Sequence, residues 1–116
     1  MNSNQSEIKK PFQGIANGLN RKHPLFALGM LVATPGALAL LERLQKPASE
    51  LLQRHITGDF GDLCSEDIKS NNDAVQDGGR IFSSYVLEGE KVWLITEACD
   101  DRGTRAVTTL LLPHEY

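Results

Sequence analysis

Cysteine is scarce in this sequence, and so is positive charge in its second half. Cys64 and Cys99 are too few for a disulfide framework, and we expect two free thiols in a reducing cytoplasm, with a single bridge between them as the alternative. Residues 58–116 contain five Lys or Arg against twelve Asp or Glu, whereas residues 1–57 contain seven against three. Phosphate contact needs clustered basic side chains, so the acidic half argues against a broad nucleic-acid-binding surface.

A hydrophobic run long enough to cross a bilayer comfortably is also lacking. The most apolar stretch, residues 25–41, is broken in its middle by Pro35 and Gly36. A secretory signal is the rival interpretation, because Arg21 and Lys22 precede the stretch, but this charged pair lies too far from the N-terminus. We therefore expect a cytoplasmic protein that contacts no membrane.

What remains is the composition of one globular domain. Hydrophobic residues make up 41% of the 116 residues and charged residues 23%, and both fractions are near the average for globular proteins. A chain of this length can bury a stable hydrophobic core without disulfides or metal ions. Residues 1–24 are polar and carry Pro11, Gly14 and Gly18, so they predict a disordered or irregular tail. Residues 25–116 are predicted to form a single domain.

The first half of that domain predicts one strand and two helices. Residues 25–33 form a short apolar run typical of a buried strand. Thr34 then provides an N-cap, with Pro35 at the first helical position, where the missing N–H costs nothing. A second helix is predicted to begin at Pro47 and to end at Gly58.

A third helix is predicted to begin with Ser65 as its cap and to stop at Gly78. Its inward stripe places an asparagine, Asn71 or Asn72, where leucine would normally pack. A buried amide that satisfies the backbone of the loop at residues 58–62 would explain this asparagine. A side chain that contacts a ligand is the alternative.

From Arg80 onward the hydrophobic period changes from that of a helix to two. Turns at residues 88–90 and 100–104 separate three such segments, which predicts a meander of strands. Together with the first strand, the element order is β-α-α-α-β-β-β. This order predicts an α+β fold in which a four-stranded antiparallel sheet carries the helices on one face.

The loop from Arg54 to Asp62 concentrates polar groups where the second helix stops. Gly58 and Gly61 permit the positive φ angles that other residues avoid, so the loop can turn tightly. Asp59 or Asp62 is expected to accept backbone N–H bonds there. Such loops often carry function, but this one matches no catalytic motif with a defined mechanism.

Four short segments stand out together, at residues 58–62, at 79–80 with 84–85, at 93–98 and at 108–116. Through these segments the sequence resembles, over about residues 26–116, a family of small proteins from bacterial plasmids and integrative elements, loosely labelled type I restriction endonuclease subunit M-like. A modification subunit would need a cofactor-binding loop and an Asn-Pro-Pro-aromatic motif, and this chain has neither. The resemblance thus implies a mobile-element protein and not a methyltransferase.

A non-catalytic interaction protein is the function we expect, with no cofactor, as a monomer or homodimer. On a mobile element its partner would be a host or element protein complex, including a defence system, and nucleic acid would not be the target. An acidic helix-loop segment, with Lys69 as its one basic residue, suits a basic docking surface. The candidate binding residues are Asp59, Asp62, Glu66, Asp67, Asp73, Arg80, Ser84 and Tyr85.

A metal-independent nuclease, like the small bacterial RNase toxins, is the alternative. That chemistry needs a general base, a general acid and a cation that stabilises the phosphate in the transition state. The candidate catalytic residues are His55, Arg80, Glu97 and Arg105. Period two, however, places Glu97 and its neighbour Thr96 on opposite faces of the sheet.

A metal site is the weakest interpretation. Its ligands would be His55, Asp59, Asp62 and Asp67, whose oxygens suit a hard cation. Their spacing does not follow the alternation of a calcium-binding loop. Helix capping and turn formation explain these aspartates better, and no metal is expected.

Overall fold

The computed structural model describes residues 23–116. In chain order its elements are β1 (Met30–Ala33), α1 (Pro35–Leu44), α2 (Ala48–Ile56), α3 (Ser65–Asp77), β2 (Ile81–Leu87), β3 (Glu90–Thr96), β4 (Val107–Leu111) and a 3-10 turn (Pro113–Glu115). The predicted α+β order is confirmed over these residues. The predicted tail, residues 1–24, lies almost wholly outside them. None of the helices in residues 23–116 is long and apolar enough to cross a membrane.

The four strands form one mixed sheet in the order β1-β4-β3-β2. Strands β2, β3 and β4 make the predicted antiparallel meander. Strand β1, however, pairs parallel with β4, with Met30 opposite Val107 and Ala33 opposite Leu110. The prediction of a fully antiparallel sheet is therefore wrong for this pair, because alternation indicates which residues share a face but not the direction of a distant neighbour.

Strand β1 is shorter than the predicted run of residues 25–33. Gly29 has a φ of +68°, and a β-carbon added there would lie 2.6 Å from the Ala106 carbonyl oxygen. Ahead of it, Leu25 N–H donates to the Ile56 carbonyl at 2.7 Å instead of to a strand. The left-handed backbone at Gly29 thus ends the extended run, and only residues 30–33 pair with β4.

The helix caps follow the sequence with two small shifts. Thr34 caps α1 by accepting the Ala37 N–H at 3.2 Å, as predicted. The N-cap residues of α2 and α3 are Pro47 and Cys64, so these helices begin at Ala48 and at Ser65 itself. The predicted stop of α3 is confirmed, since Gly78 takes a left-handed φ of +88°.

Helices α1 and α2 cover one face of the sheet, which we call the helix-covered face. There the strand residues Tyr85, Val92, Leu94 and Leu110 pack against Ala37, Leu40, Leu41 and Leu51 of the two helices. These side chains form the larger of two cores and exclude water from the alternating positions of β2, β3 and β4.

Helix α3 lies along the outer edge of β2, so only two of the three helices follow the prediction of packing on one face. The smaller core joins Ala74 of α3 to Ile81 and Phe60. The Asn71 amide is buried and binds the backbone of Phe82, donating to its carbonyl at 2.7 Å and accepting its N–H at 3.1 Å. The expected buried amide is present, but it binds this strand and not the loop at residues 58–62.

That loop closes the next part of the same edge. Ser84 N–H donates to the Phe60 carbonyl at 3.0 Å, and Asp62 N–H donates to the Ser84 carbonyl at 2.6 Å. The loop and Asn71 together occupy the backbone groups of Phe82 and Ser84 that point away from β3. The β2 edge is thereby protected from pairing with another strand.

Candidate functional site

The loop at the end of α2 has the conformation that its glycines predict. Gly58 and Gly61 have φ angles of +95° and +79°, which confirms the predicted left-handed backbone. The Asp59 carboxylate accepts the Gly61 N–H at 3.2 Å, as expected, and forms an ion pair with Arg54 at 2.7 Å. Because the loop docks on β2 through its backbone, its polar groups hold the edge of the sheet and do not converge on a solvent-exposed centre.

His55 is fully buried on the helix-covered face, inside a row of hydroxyl groups. Its Nδ1 lies 2.6 Å from Ser83 Oγ and its Nε2 lies 2.8 Å from Thr96 Oγ1. Thr96 continues the row to Thr108, whose hydroxyl donates to the Leu28 carbonyl at 2.7 Å. A buried imidazole is tolerated here because both of its nitrogens have partners.

The last acceptor of the row fixes the hydrogen bonds from Leu28 back to His55 Nε2. The Leu28 carbonyl can only accept, so Thr108 donates to it and accepts from Thr96. Thr96 then accepts from His55 Nε2–H, and Nδ1 of a neutral imidazole is left to accept from Ser83. Burial, assisted by the positive charge of Arg105, lowers the pKa of His55 to about 4.

Arg105 is also buried and ties α3 to the sheet. Its guanidinium donates to the carbonyls of Gly79, Glu97 and Ala74 at 2.6, 3.0 and 3.0 Å. The guanidinium also lies 5.6 Å from the centre of the Phe26 ring. With its donors directed at backbone carbonyls, Arg105 stabilises the fold and is not presented to a substrate.

Arg80 and Glu97 lie on the other side of the sheet from His55. Arg80 Nε is 3.8 Å from Glu97 Oε1, and Arg80 Nη2 donates to the Tyr116 hydroxyl at 2.9 Å. Both side chains are about half exposed, whereas His55 is 0% exposed. His55 is therefore separated by the sheet from the pair of Arg80 and Glu97, and the four candidate catalytic residues do not form one cleft.

A cleft with a volume of about 240 Å³ lies between α3 and the face of the sheet opposite α1 and α2. Two edge-to-face ring contacts form one wall, with centroids 5.0 Å apart for Phe82 and Trp93 and 5.9 Å apart for Trp93 and Tyr116. The full lining comprises Asp67, Ser70, Asn71, Arg80, Phe82, Trp93, Ile95 and Tyr116. Two of the sequence-proposed binding residues, Asp67 and Arg80, thus lie in one cleft; we call it the α3 cleft.

The sequence interpretation missed the aromatic wall of the α3 cleft. Alternation does place Phe82, Trp93 and Ile95 on one face, since Phe82 and Ile95 are direct cross-strand partners. That pattern could have indicated an aromatic patch. Tyr116 had no comparable signal, because the 3-10 turn before it determines where its ring lies.

Glu115 anchors that turn to the start of α1. Its carboxylate accepts hydrogen bonds from the Thr34 hydroxyl, from Leu112 N–H at 2.8 Å and from Gly36 N–H at 3.2 Å. The Thr34 hydrogen bond, followed by the Leu112 N–H, lowers the pKa of Glu115. The anchor holds the next residue, Tyr116, against Trp93.

Replacing Glu115 by glutamine is expected to loosen Tyr116 and expose the α3 cleft. A glutamine has one carbonyl oxygen where the carboxylate uses two to accept these bonds. Trp93 is the only tryptophan in the chain, so its emission should shift to longer wavelength in this variant at neutral pH. In the parent the same shift should develop as pH falls through the depressed pKa of Glu115, since a protonated carboxyl loses acceptor capacity. Glu42→Gln is the control, and an identical spectrum for Glu115→Gln would contradict the anchor.

The acidic candidate residues lie in three places, namely a solvent-facing side of α3, the side of α3 that borders the cleft, and the loop after α2. Glu66 and Asp73 are seven residues apart and therefore share one side of the helix, where Asp73 pairs with Lys69 at 2.9 Å. Asp67 projects from the side that borders the cleft. Asp62 is exposed on the loop, and Asp59 is held by Arg54.

Ser84 and Tyr85 are buried, with 4% and 1% of their surface exposed. The Tyr85 hydroxyl donates to the Asp59 carbonyl at 2.8 Å, and the Arg54 guanidinium lies 4.5 Å from the centre of its ring. Burial raises the pKa of Tyr85 to about 12. In this fold neither side chain presents a surface to a partner.

Among residues 23–116, no group of three or more His, Cys, Asp and Glu side chains is arranged to hold a metal ion. Cys64 and Cys99 are both free thiols.

The chain matches no protein-family model, no curated protein and no solved structure.

Proposed function

We propose that this protein is a non-catalytic interaction protein that binds a basic segment of a partner protein. The binding surface consists of the exposed acidic side of α3, with Glu66 and Asp73, and the adjoining α3 cleft, with Asp67 at its border. The resemblance of the sequence to mobile-element proteins suggests a host or element complex as the class of partner, including a defence system.

One observation supports this proposal most directly: a carboxylate and an aromatic wall border the same cleft. Asp67 is exposed and lines the space that Trp93 and Tyr116 also line. A lysine or arginine side chain combines a positive head with an apolar stem, so it can satisfy both walls. About 240 Å³ is room for one such side chain and not for a folded element.

Arg80 in the same cleft does not cancel this charge preference. Its guanidinium lies 5.5 Å from the centre of the Tyr116 ring, donates to the Tyr116 hydroxyl and pairs with Glu97. Glu97 offsets the charge of Arg80, which leaves Asp67, Glu66 and Asp73 opposed mainly by Lys69. The resulting negative field favours encounter with a basic partner.

Charge reversal of the acidic side tests the proposal. Asp67→Lys combined with Asp73→Lys should weaken binding to an arginine- and lysine-rich peptide at least tenfold in titration calorimetry and should abolish partner capture from the host. Both carboxylates are exposed, so the melting temperature should change little. The same peptide should bind the parent less tightly as salt is raised.

The matched control is Glu50→Lys with Glu42→Lys, which reverses two exposed carboxylates at comparable positions of α2 and α1. This variant should keep the parental affinity. Equal losses in both double variants would show a general charge effect and would contradict a site on α3. RNA cleavage by the purified protein that is lost in both His55→Ala and Arg80→Ala would instead establish the nuclease alternative.

A further inference from the structure

The two edge strands of the sheet, β2 and β1, differ in how far other parts of the described chain cover them. The β2 edge is occupied by Asn71 and the loop at residues 60–62, whereas no described strand lies on the outer side of β1. The side chains of β1 are also exposed, with Met30, Leu31 and Val32 at 69%, 51% and 41%. An apolar, uncovered edge strand is a template for pairing with another strand.

The backbone groups available for such pairing can be identified from the parallel ladder. Met30 N–H donates to the Ala106 carbonyl and Thr34 N–H to the Leu110 carbonyl, both at 2.9 Å. Even-numbered residues of β1 therefore turn their backbone groups toward β4. Leu31 and Ala33 turn theirs outward, since these groups alternate along a strand.

A shallow apolar groove with a volume of about 130 Å³ runs beside these two residues. Leu31 and Ala33 form its sheet side, and Leu38, Ala48 and Leu52 from α1 and α2 form its other side. Leu38 is itself 53% exposed. No charged side chain lines the groove.

We propose that two copies of this chain associate through antiparallel pairing of β1 with β1, with Val32 on the two-fold axis. In this register Leu31 of each copy exchanges backbone hydrogen bonds with Ala33 of the other. The two sheets join into one continuous sheet.

The absence of charge on this edge is compatible with a second copy as the occupant. Two-fold pairing brings a short strand close to its own symmetry mate, so a charge within it would lie near an identical charge. Residues Met30–Ala33 and the groove carry no charge at all. The basic segment proposed as partner for α3 gains nothing from this uncharged edge, so the two surfaces are independent.

Side-chain sizes agree with the same register. Leu31 of one copy lies opposite Ala33 of the other, and both point to the helix-covered face, because Leu31 and Ala33 are partners of Thr108 and Leu110. The large side chain thus meets a small one beside the apolar groove. A four-residue strand buries a limited area, so the association should be weak and dependent on concentration.

Sedimentation equilibrium of the full-length chain at increasing concentration is the first measurement. A reversible monomer–dimer equilibrium is expected, and Val32→Lys should weaken the dimer at least tenfold through like charges at the axis. Val86→Lys is the matched control, because Val86 is an exposed strand valine at 49% on the closed β2 edge. This control should dimerise as the parent does. A monomer at every concentration, or a dimer that Val32→Lys leaves intact, would overturn the proposal.

Disulfide trapping tests the register itself in a Cys64→Ser, Cys99→Ser background. Val32→Cys should cross-link on mild oxidation, since symmetry mates at a non-hydrogen-bonded pair have Cα atoms about 4.5 Å apart. Leu31→Cys should not, because its symmetry mate is offset by two residues along the partner strand. Val86→Cys should also remain reduced. Cross-linking of Leu31→Cys or Val86→Cys as fast as Val32→Cys would overturn the two-fold register.

Discussion

Replacing Gly61 by alanine is expected to destabilise the protein by about 2–5 kcal/mol, because two penalties combine at this residue. Its φ of +79° lies in the left-handed region, where a β-carbon adds about 1–2 kcal/mol of strain. The new β-carbon would also collide with the Ser84 carbonyl and would lie 2.7 Å from the Tyr85 ring. Relieving such overpacking costs about 1–3 kcal/mol more. Urea unfolding followed by Trp93 fluorescence measures the loss, and Gly61→Val should be at least as damaging.

Gly103→Ala separates the two penalties. Gly103 has the same φ of +79°, but no atom lies within 4 Å of the position of its β-carbon. Only the cost of the left-handed backbone remains there, about 1–2 kcal/mol. If Gly61→Ala and Gly103→Ala lower the free energy of unfolding by the same amount, the close approach of the loop to β2 adds nothing to the cost at Gly61.

Lowering the pH from 7 to 4 is expected to remove on the order of 3 kcal/mol of stability through His55 alone. The folded protein holds His55 neutral, with its pKa lowered to about 4 by burial, whereas the unfolded chain binds the proton near pH 6.5. Between these values the unfolded state binds more protons, so the free energy of unfolding falls as the pH falls. Above about pH 6.5 the contribution is fully present, and below about pH 4 no more is lost. Urea unfolding at pH 7, 6, 5 and 4 measures the dependence.

His55→Gln provides the comparison, since glutamine can hydrogen-bond but does not titrate. This variant should be less stable at pH 7, because the row from Ser83 to Thr108 is disturbed. Its stability should nevertheless depend less on pH between 6.5 and 4. Other groups, such as Glu115, titrate in both proteins, so their contributions cancel when the two pH dependences of stability are subtracted. Identical slopes would mean that His55 has the same pKa in the folded and the unfolded protein, and would contradict the lowering of its pKa by burial.

Local chemistry in the sequence was sufficient for most elements of the fold. Period-two alternation from residue 81 onward identified the meander and the residues that share each face. Thr34, Pro35 and Gly78 marked helix ends through φ preferences and capping bonds that depend on adjacent residues only. The positive φ of Gly61 was predictable for the same reason.

The candidate site was predictable only in part. Asp67 and Arg80 were among the proposed binding residues, and the structure places both in the α3 cleft. Ser84 and Tyr85 were proposed too, but their burial depends on the loop that closes the β2 edge. His55 could not be told from an active-site base by its sequence neighbours, because its partners Ser83 and Thr96 are 28 and 41 residues away.

Residue type and spacing were sufficient to predict the α+β class, the order of the elements, the left-handed glycines and the acidic character of the second half, since each depends on residues within one turn or one strand. The packed fold was needed to show that β1 lies parallel to β4, that His55 is buried in a row of hydroxyl groups, and that, among residues 23–116, one edge of the sheet is covered while the other is not. These features join residues far apart in the chain. Such pairings depend on how whole elements pack, and residue type and spacing do not encode which distant partner a backbone or side-chain group meets.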